Sequence, residues 1–532
     1  MKKLTRKDFL KVSGMGLGAV SLAMLTGCGS SSESSSSSSA SESEGTTSKT
    51  KVTIGVTQTC SSIAPFNPSW GNADLAMKSV AYETLGAYDE NKEVVPFCAK
   101  SWTETAEQTY TIELYDYIVD RDGNNITIDD IIAFWDYAYE ANYTSITRYL
   151  ESYEKLSDYA VSVVLADNFV DSLDGLLVGT RVFSWKAYEE SNGFENGPIS
   201  TTAYECVSYT SGSGASWKKV DSYWQTDASL IPSVAEAIVE EIEFVPIVEA
   251  AQQSVALETG TIDVMLQMST SVISRFQDNS AYGEVSFLNP IGYQLYFSGS
   301  EGKPTADNLK LRQAIAYAIN NEAIVMTALE GNGQVKKDFG SSIHVGYNEK
   351  WDDEDYYDYD PDKAAELLAE AGYAPDELEL TILTLSSDSW SKCAQVIQSN
   401  LRDIGITVTI DAFDSALYGS SFADGKNYDL MINCVGGTYN AAIVKSKLHS
   451  SVFNGSATAS WYDPELDSLI EAACTVGATE ADQDALHYYM IDTLYAYGLY
   501  DNVTFTFYNA ETVESCPFDA LATLMSGAII LK

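Results

Sequence analysis

The stretch from Asp360 to Asp411 constrains the fold more than any other part of the chain. Asp360 is placed to cap a helix, with Pro361 at the first helical position, where a missing N–H costs nothing. Leu367, Leu368 and Ala371 line one face, and Gly372 is placed to end it. Leu378 to Leu385 alternates as a strand. Val396, Ile397, Leu401 and Ile404 form the next helical face, closed by Gly405, and Ile406, Val408 and Ile410 form another strand. Two strands joined through a helix run parallel, so the fold class is α/β.

The remaining pattern is consistent with that class. Lys51 to Thr57 alternates as a strand and leads into a loop, Cys60 to Asn72, that holds Phe66 and Trp70. Leu75 to Leu85 has helical spacing. Tyr110 to Tyr115 and Ile118-Val119 read as strands joined to a turn at Asp122-Gly123. Thr127 to Asp130 resembles a capping box, opening a helix with Ile131, Ile132, Trp135 and Ala138 on its apolar face. Ile242 to Ile247 reads as a strand, and Val248 to Glu258 as a helix closed by Gly260. Leu311, Ile315, Ala318, Ile319 and Val325 mark one amphipathic helix. Tyr428 to Val435 reads as a buried strand, Asp463-Pro464 repeats the cap-and-proline pair, and Val503 to Tyr508 is the last strand.

The N-terminus sets where such a body works. Lys2, Lys3, Arg6, Lys7 and Lys11 precede Val12 to Leu25, an apolar stretch too short to span a bilayer comfortably and flanked like an export signal. Leu25-Thr26-Gly27-Cys28 resembles a lipobox, which implies cleavage after residue 27 and a diacylglycerol on Cys28. Residues 28–50 are rich in Ser, Glu, Thr and Gly and read as a flexible tether. The folded body is thus expected outside the cell membrane, lipid-anchored to its outer face.

Charge and motif content exclude other roles. Against 31 Lys+Arg stand 76 Asp+Glu, a net charge of −45, and losing residues 1–27 makes the rest more acidic. Binding nucleic acid needs basic patches, so it is excluded, as is docking on an anionic membrane by charge. With Cys28 acylated, Cys60, Cys98, Cys206, Cys393, Cys434, Cys474 and Cys516 remain, an odd set without C-x-x-C. A disulfide scaffold is excluded and one incidental bridge stays open; Cys393 and Cys434 read as thiols in apolar surroundings. The three histidines have no zinc-ligand spacing, and no nucleophile elbow, P-loop or dinucleotide fingerprint occurs. No catalytic residue, metal or cofactor is expected. Trp351 to Asp362 reads as a solvated acidic loop and Asp120 to Asn124 as a turn, both in preference to calcium loops. The 34 tyrosines suit core packing for the most part, and a stacking, hydrogen-bonding cleft for some.

The order of several short pieces carries a resemblance. They are Val95-Pro96 through Lys100-Ser-Trp102, Tyr110 to Leu114, Asp122-Gly123, Asp129 to Ile131, and Leu257 to Asp263. Leu311 to Ile319, Ala364 to Tyr373, Asn400 to Val408 and Tyr428-Asp429 follow. The chain resembles the solute-binding family 5 lipoproteins, extracellular receptors of peptide- and nickel-type ABC importers. The resemblance implies a two-lobed periplasmic-binding-protein-like fold (type II, cluster C) with an extra domain inserted in lobe one. Lobe one maps to 50–81, 201–288 and 505–532, the insertion to 82–200, and lobe two to 289–504. It also implies a non-enzymatic monomer that closes on a small-molecule or peptide ligand and hands it to permease and ATPase subunits.

The sequence departs from the peptide-binding pattern after Tyr428-Asp429. A Trp followed by an Asp that pairs with a peptide's α-amino group is usual there; Val435 and Thr438 stand at those positions. Leu295 to Phe297 is followed by Ser298 where the family has Asn, and the usual G-x-G-P-Y turn is absent near Ser200 to Tyr204. Thr57, Phe66, Trp70, Asn72, Tyr293, Ser298, Gly436, Thr438, Tyr439 and Asn440 are expected to line the cleft. The expected cargo is oligopeptide; an oligosaccharide or other neutral solute is the alternative, and a surface hydrolase or adhesin the distant one.

Overall fold

Two long strands run through both halves of the molecule and tie them together. The computed structural model describes residues 49–59, 62–66, 72–141, 143–354, 356–422, 426–452 and 461–532. The export signal, Cys28, most of the tether, Cys60 and Trp70 lie outside the described residues.

β1 (Lys51–Val56) and α1 (Asn72–Ala81) are followed by a small antiparallel sheet. Its strands β2 (Ala99–Ala106), β3 (Thr109–Leu114), β4 (Leu150–Ser157) and β5 (Ala160–Leu165) lie in the order β2-β3-β5-β4, with α2 (Ile128–Glu140) between β3 and β4 in sequence. Next come β6 (Tyr204–Thr210), β7 (Gly214–Lys219), β8 (Glu241–Pro246), α3 (Ala250–Glu258), β9 (Val264–Leu266) and the 16-residue β10 (Tyr282–Phe297). The second half holds α4 (Leu309–Ala318), α5 (Asn321–Ala328), β11 (Gly333–Val335), α6 (Pro361–Glu370), β12 (Leu378–Leu385), α7 (Asp388–Asp403) and β13 (Ile406–Phe413). It ends with β14 (Leu430–Gly436), α8 (Asn440–Leu448), α9 (Pro464–Cys474), α10 (Glu480–Thr493) and the 14-residue β15 (Ala496–Asn509).

The main sheet has 11 strands in the order β6-β7-β8-β1-β9-β15-β10-β14-β12-β13, with β11 paired to β15. β10 and β15 are its antiparallel spine. Leu295 to Phe297 and Tyr497 to Tyr500 pack with α4, α5, α7 and β12 to β14 in one hydrophobic core. The other ends of the same strands reach different cores: Val285 packs with β1, α1 and the small sheet, and Phe505 and Phe507 with α3. Each lobe therefore buries its own apolar faces, and the spine contributes to both.

The β-α-β unit forms as its spacing predicts. β12 and β13 pair in parallel from Leu378↔Ile406 to Leu385↔Phe413, and Trp390, Cys393, Ile397 and Leu401 of α7 are buried. Asp360 accepts the Lys363 N–H at 2.9 Å, and Asp463 those of Glu465 and Leu466. Gly372 and Gly405 adopt φ of 95° and 85°, the left-handed region that favours glycine. At α2 the Thr127 N–H meets the Asp130 carboxylate at 2.8 Å.

Five expectations are corrected. The helix expected across Leu311 to Val325 is two helices. Asn320 breaks it by capping α5, accepting the Ala323 N–H at 2.9 Å, while the apolar spacing persists because both pieces pack on one core. The last strand begins at Ala496 rather than Val503, since β10 pairs with it along most of its length. Ile118-Val119 forms only an isolated bridge, Val119↔Asn125, and the Leu75 helix stops at Ala81. Trp351, expected in a solvated loop, is buried with its ring stacked 4.0 Å from that of His487. Asp120 does make a turn, accepting the N–H groups of Asp122 and Asn124. Among the described residues, Cys98, Cys206, Cys393, Cys434, Cys474 and Cys516 are free thiols.

Candidate ligand cleft

Parallel strands from both lobes aim their carboxyl ends at the middle of the spine. β1 ends at Val56 beside β9, and just past β9 the Met268 N–H donates to the Phe505 carbonyl at 2.8 Å. From the other lobe, β14 ends at Gly436, paired with Ile291 of β10. The convergence spans residues 288–293 of β10 and 501–505 of β15. Open α/β sheets place ligands beyond strand carboxyl ends, where the chain leaves the sheet and side chains from several strands meet. Two cavities flank the band. One of about 280 Å³ is lined by Gln58, Gln267, Asn289, Tyr293, Asn502 and Thr504. The other, about 240 Å³, is lined by Lys92, Leu288, Ile343, Gly437, Thr438 and Leu521. A hollow of about 260 Å³ beneath α1 lies away from the band. Its buried Glu83 already accepts from Tyr223 and Trp224.

Buried polar atoms without a partner collect in this band and beside it. Among the described residues they include Asn289 Oδ1, Gln294 Oε1, Ser341 Oγ, Asn440 Oδ1, Tyr500 OH, both carboxylate oxygens of Asp501, Asn502 Oδ1 and Thr504 Oγ1. Each such atom costs about 1–3 kcal/mol, so a fold tolerates a group of them only where something else gains. Asp501 bears most of that cost. It is 1 % exposed, and burial pushes its carboxyl up to about 7. The neighbouring Ser341 hydroxyl and Lys336 charge pull it down, and Asp338 and Asp352 push it up. Lys336 is itself shared, 3.0 Å from Asp338 and 2.9 Å from Asp352.

The structure brings together some of the residues expected from sequence and disperses others. Thr57 follows β1 directly, half-buried beside Gln58. Tyr293 lines the first cavity, stacked 4.5 Å from the Tyr500 ring and edge-on to Trp390. Gly436 closes β14; Thr438 lines the second cavity, its hydroxyl bonded to Tyr88 and its carbonyl accepting the Val345 N–H. Asn440 is buried at the start of α8 and donates its N–H to the Val345 carbonyl. The Tyr439 hydroxyl donates to Asp174 at 2.6 Å, so it serves a contact between lobes. Asn72 begins α1, and its side chain, like Trp70, lies outside the described residues.

Two expected residues sit elsewhere. Phe66 packs in an aromatic cluster on α2, 4.7 Å from the Phe134 ring and 4.5 Å from that of Tyr137. Ser298 is fully buried at the far end of β10: Phe297 pairs with Leu430, the first residue of β14, whereas the cleft lies at the last. Its N–H donates to the Asp429 carbonyl at 2.9 Å. Sequence reading missed Gln58, Gln267, Asn289, Asp501, Asn502 and Thr504. One signal was present: Asp501-Asn502 interrupts a run of apolar and aromatic residues within a strand.

Further contacts cross between the segment after β5 and the second lobe. Val170 N–H donates to the Cys474 carbonyl at 2.8 Å, and Val476 N–H to that of Asn168 at 3.0 Å. Lys445 pairs with Asp167 at 3.2 Å and sits 3.6 Å from the Phe169 ring centroid. Among the described residues no three His, Cys, Asp or Glu side chains group as a metal site, and no helix is long and apolar enough to cross a membrane.

Residues 93–451 match the family model described as bacterial extracellular solute-binding proteins, family 5 middle. The chain belongs to this family. A glutathione-binding protein GsiB of Pectobacterium atrosepticum is 24 % identical over 371 residues, covering 68 % of this chain and 69 % of the relative. The nickel-binding periplasmic protein of Escherichia coli is 24 % identical over 400 residues, 69 % of this chain and 72 % of the relative. Among solved structures, the oligopeptide-binding protein AppA of Bacillus subtilis in complex with a nonapeptide superposes with a TM-score of 0.75 at 18 % identity. That match covers 91 % of this chain and 99 % of AppA and shows the shared two-lobed fold. Family 5 proteins are extracytoplasmic; they bind small solutes or peptides and work with ABC permeases. The relatives named here are solute-binding transport proteins rather than enzymes.

Proposed function

We propose that this family 5 protein is the capture subunit of an ABC importer for oligopeptides, held outside the cell membrane by a lipid on Cys28 and delivering its cargo to permease and ATPase subunits. The observation that carries this reading is the convergence of strand ends from both lobes on a band of buried, unpartnered polar atoms. Peptide backbones offer donors and acceptors at regular spacing and suit such a lining. In this reading lobe one comprises 50–81, 201–288 and 505–532, the insertion 82–200, and lobe two 289–504. Closure is a hinge motion about β10 and β15.

A neutral solute such as an oligosaccharide is the second reading, favoured by Thr438, Asn440 and the abundance of tyrosine. A thermal-shift screen of the purified protein against peptide pools, oligosaccharides and metal salts separates the two, because a ligand raises the melting midpoint by mass action. Shifts with peptides are expected; shifts with sugars alone would replace the first reading with the second. For the anchor, Cys28→Ser is expected to release the protein into the medium and abolish labelling by radioactive palmitate.

A further inference from the structure

Six of the nine orphan atoms in and beside the cleft band are amide or carboxylate oxygens, and the other three are hydroxyls. Hydroxyls can donate or accept, whereas a carboxylate only accepts. The atoms left without a partner in this lining are therefore mostly acceptors. Asp501 is the sharpest case, because its ionised form adds a charge. Other carboxylates nearby are matched: Asp174 by Tyr439, Asp338 by Lys336 and Tyr347, and Asp519 by the N–H groups of Leu521 and Thr523. Asp429 is matched by Lys303 and the Thr381 N–H. Among the described residues no cation pairs with Asp501: the one donor that acts on its carboxylate is the neutral Ser341 hydroxyl, and the nearby Lys336 is already divided between Asp338 and Asp352.

Geometry gathers other polar groups about the same carboxylate. Asp501 faces Gly292 across the spine, and a Cβ on Gly292 would stand 3.1 Å from Asp501 Oδ1, 2.7 Å from Gln294 Nε2 and 3.7 Å from the Gly340 carbonyl. Gly340, with φ of 107°, lets Asn440 Oδ1 approach where its own Cβ would be. Two glycines thus let Asp501, Gln294 and Asn440 crowd one small volume of backbone, a use of glycine where a ligand or another chain segment comes close.

We infer that the solute carries a protonated nitrogen, an amine or a guanidinium, and that Asp501 is the carboxylate that receives it. The inference deepens the capture-subunit reading and rests on it. A cation brings what these acceptors are left without, N–H donors and positive charge, and a charge-assisted bond in an enclosed site is among the stronger contacts available. Position 438, a threonine, supplies no such charge. The acidity of Asp501 agrees: burial is the chief cause that pushes its carboxyl up to about 7, and a bound cation would pull it back down.

The test is calorimetric titration of the full chain in mild detergent, wild type and Asp501→Asn, with trialanine, N-acetyl-trialanine, spermidine, maltotriose and calcium chloride. Asparagine preserves shape and removes the buried charge, so folding is expected to survive. Expected is millimolar or tighter binding of trialanine, lost by on the order of thirty-fold or more on acetylation and again in Asp501→Asn. Spermidine binding that needs Asp501, without trialanine binding, would keep the anchor and overturn the peptide reading. Trialanine binding indifferent to the cap or to Asp501→Asn would overturn the anchor and keep the peptide reading. Maltotriose binding without amine binding would overturn both. Asp501-dependent heat with calcium alone would make the site a metal site, and no response to either amine at millimolar concentration would also refute the inference.

Discussion

Two buried groups give the protein opposing proton linkages. Asp501 in the fold titrates at about 7 against an ordinary 3.8, chiefly through burial, so between those values the folded state holds a proton that the unfolded state has lost. Stability from this group falls as pH rises from about 4 to about 7. His487 is driven down from 6.5 to about 4, again chiefly by burial. Over that window the unfolded state holds the extra proton, so stability from His487 rises with pH. Each effect is on the order of a few kcal/mol, and between about 4 and 6.5 they oppose one another. Asp501→Asn is expected to tilt the urea-derived stability profile upward with pH relative to wild type, and His487→Gln to tilt it downward. Matching slopes in all three proteins would refute the assignment.

At the scale of elements, the caps and turns legible in the sequence bear testable energies. Asp360→Ala removes the acceptor for the Lys363 N–H and is expected to cost about 1 kcal/mol in urea unfolding. Gly405→Ala should cost more, on the order of 2 kcal/mol. It forces φ of 85° on a residue with a Cβ, 2.8 Å from Pro375. These sites could be read because capping and left-handed turns depend on residues three or four apart. The break at Asn320 depends on more. Asn321 donates to carbonyls of Lys336, Gly498 and Leu499, partners far along the chain, and periodicity cannot report them.

For the whole molecule, the contacts from 167–174 to α8 and α9 oppose hinge opening. Tyr439→Phe combined with Lys445→Ala removes the bonds to Asp174 and Asp167 while leaving both cores intact. The double variant is expected to enlarge the radius of gyration in small-angle scattering while the urea midpoint stays nearly unchanged; an unchanged radius would show that these bonds do not restrain the lobes. The sequence by itself determined the α/β class, the parallel β12-α7-β13 unit, the helix caps and the family likeness, because each is written in neighbouring residues or in segment order. Only the tertiary structure decided which end of β10 faces the cleft, and so separated Ser298 from Tyr293. It also moved Phe66 into an aromatic core and brought Asp501, Gln294 and Asn440 into one buried volume. A strand's side-chain alternation says which faces it has, but what meets each face depends on register with strands more than a hundred residues away.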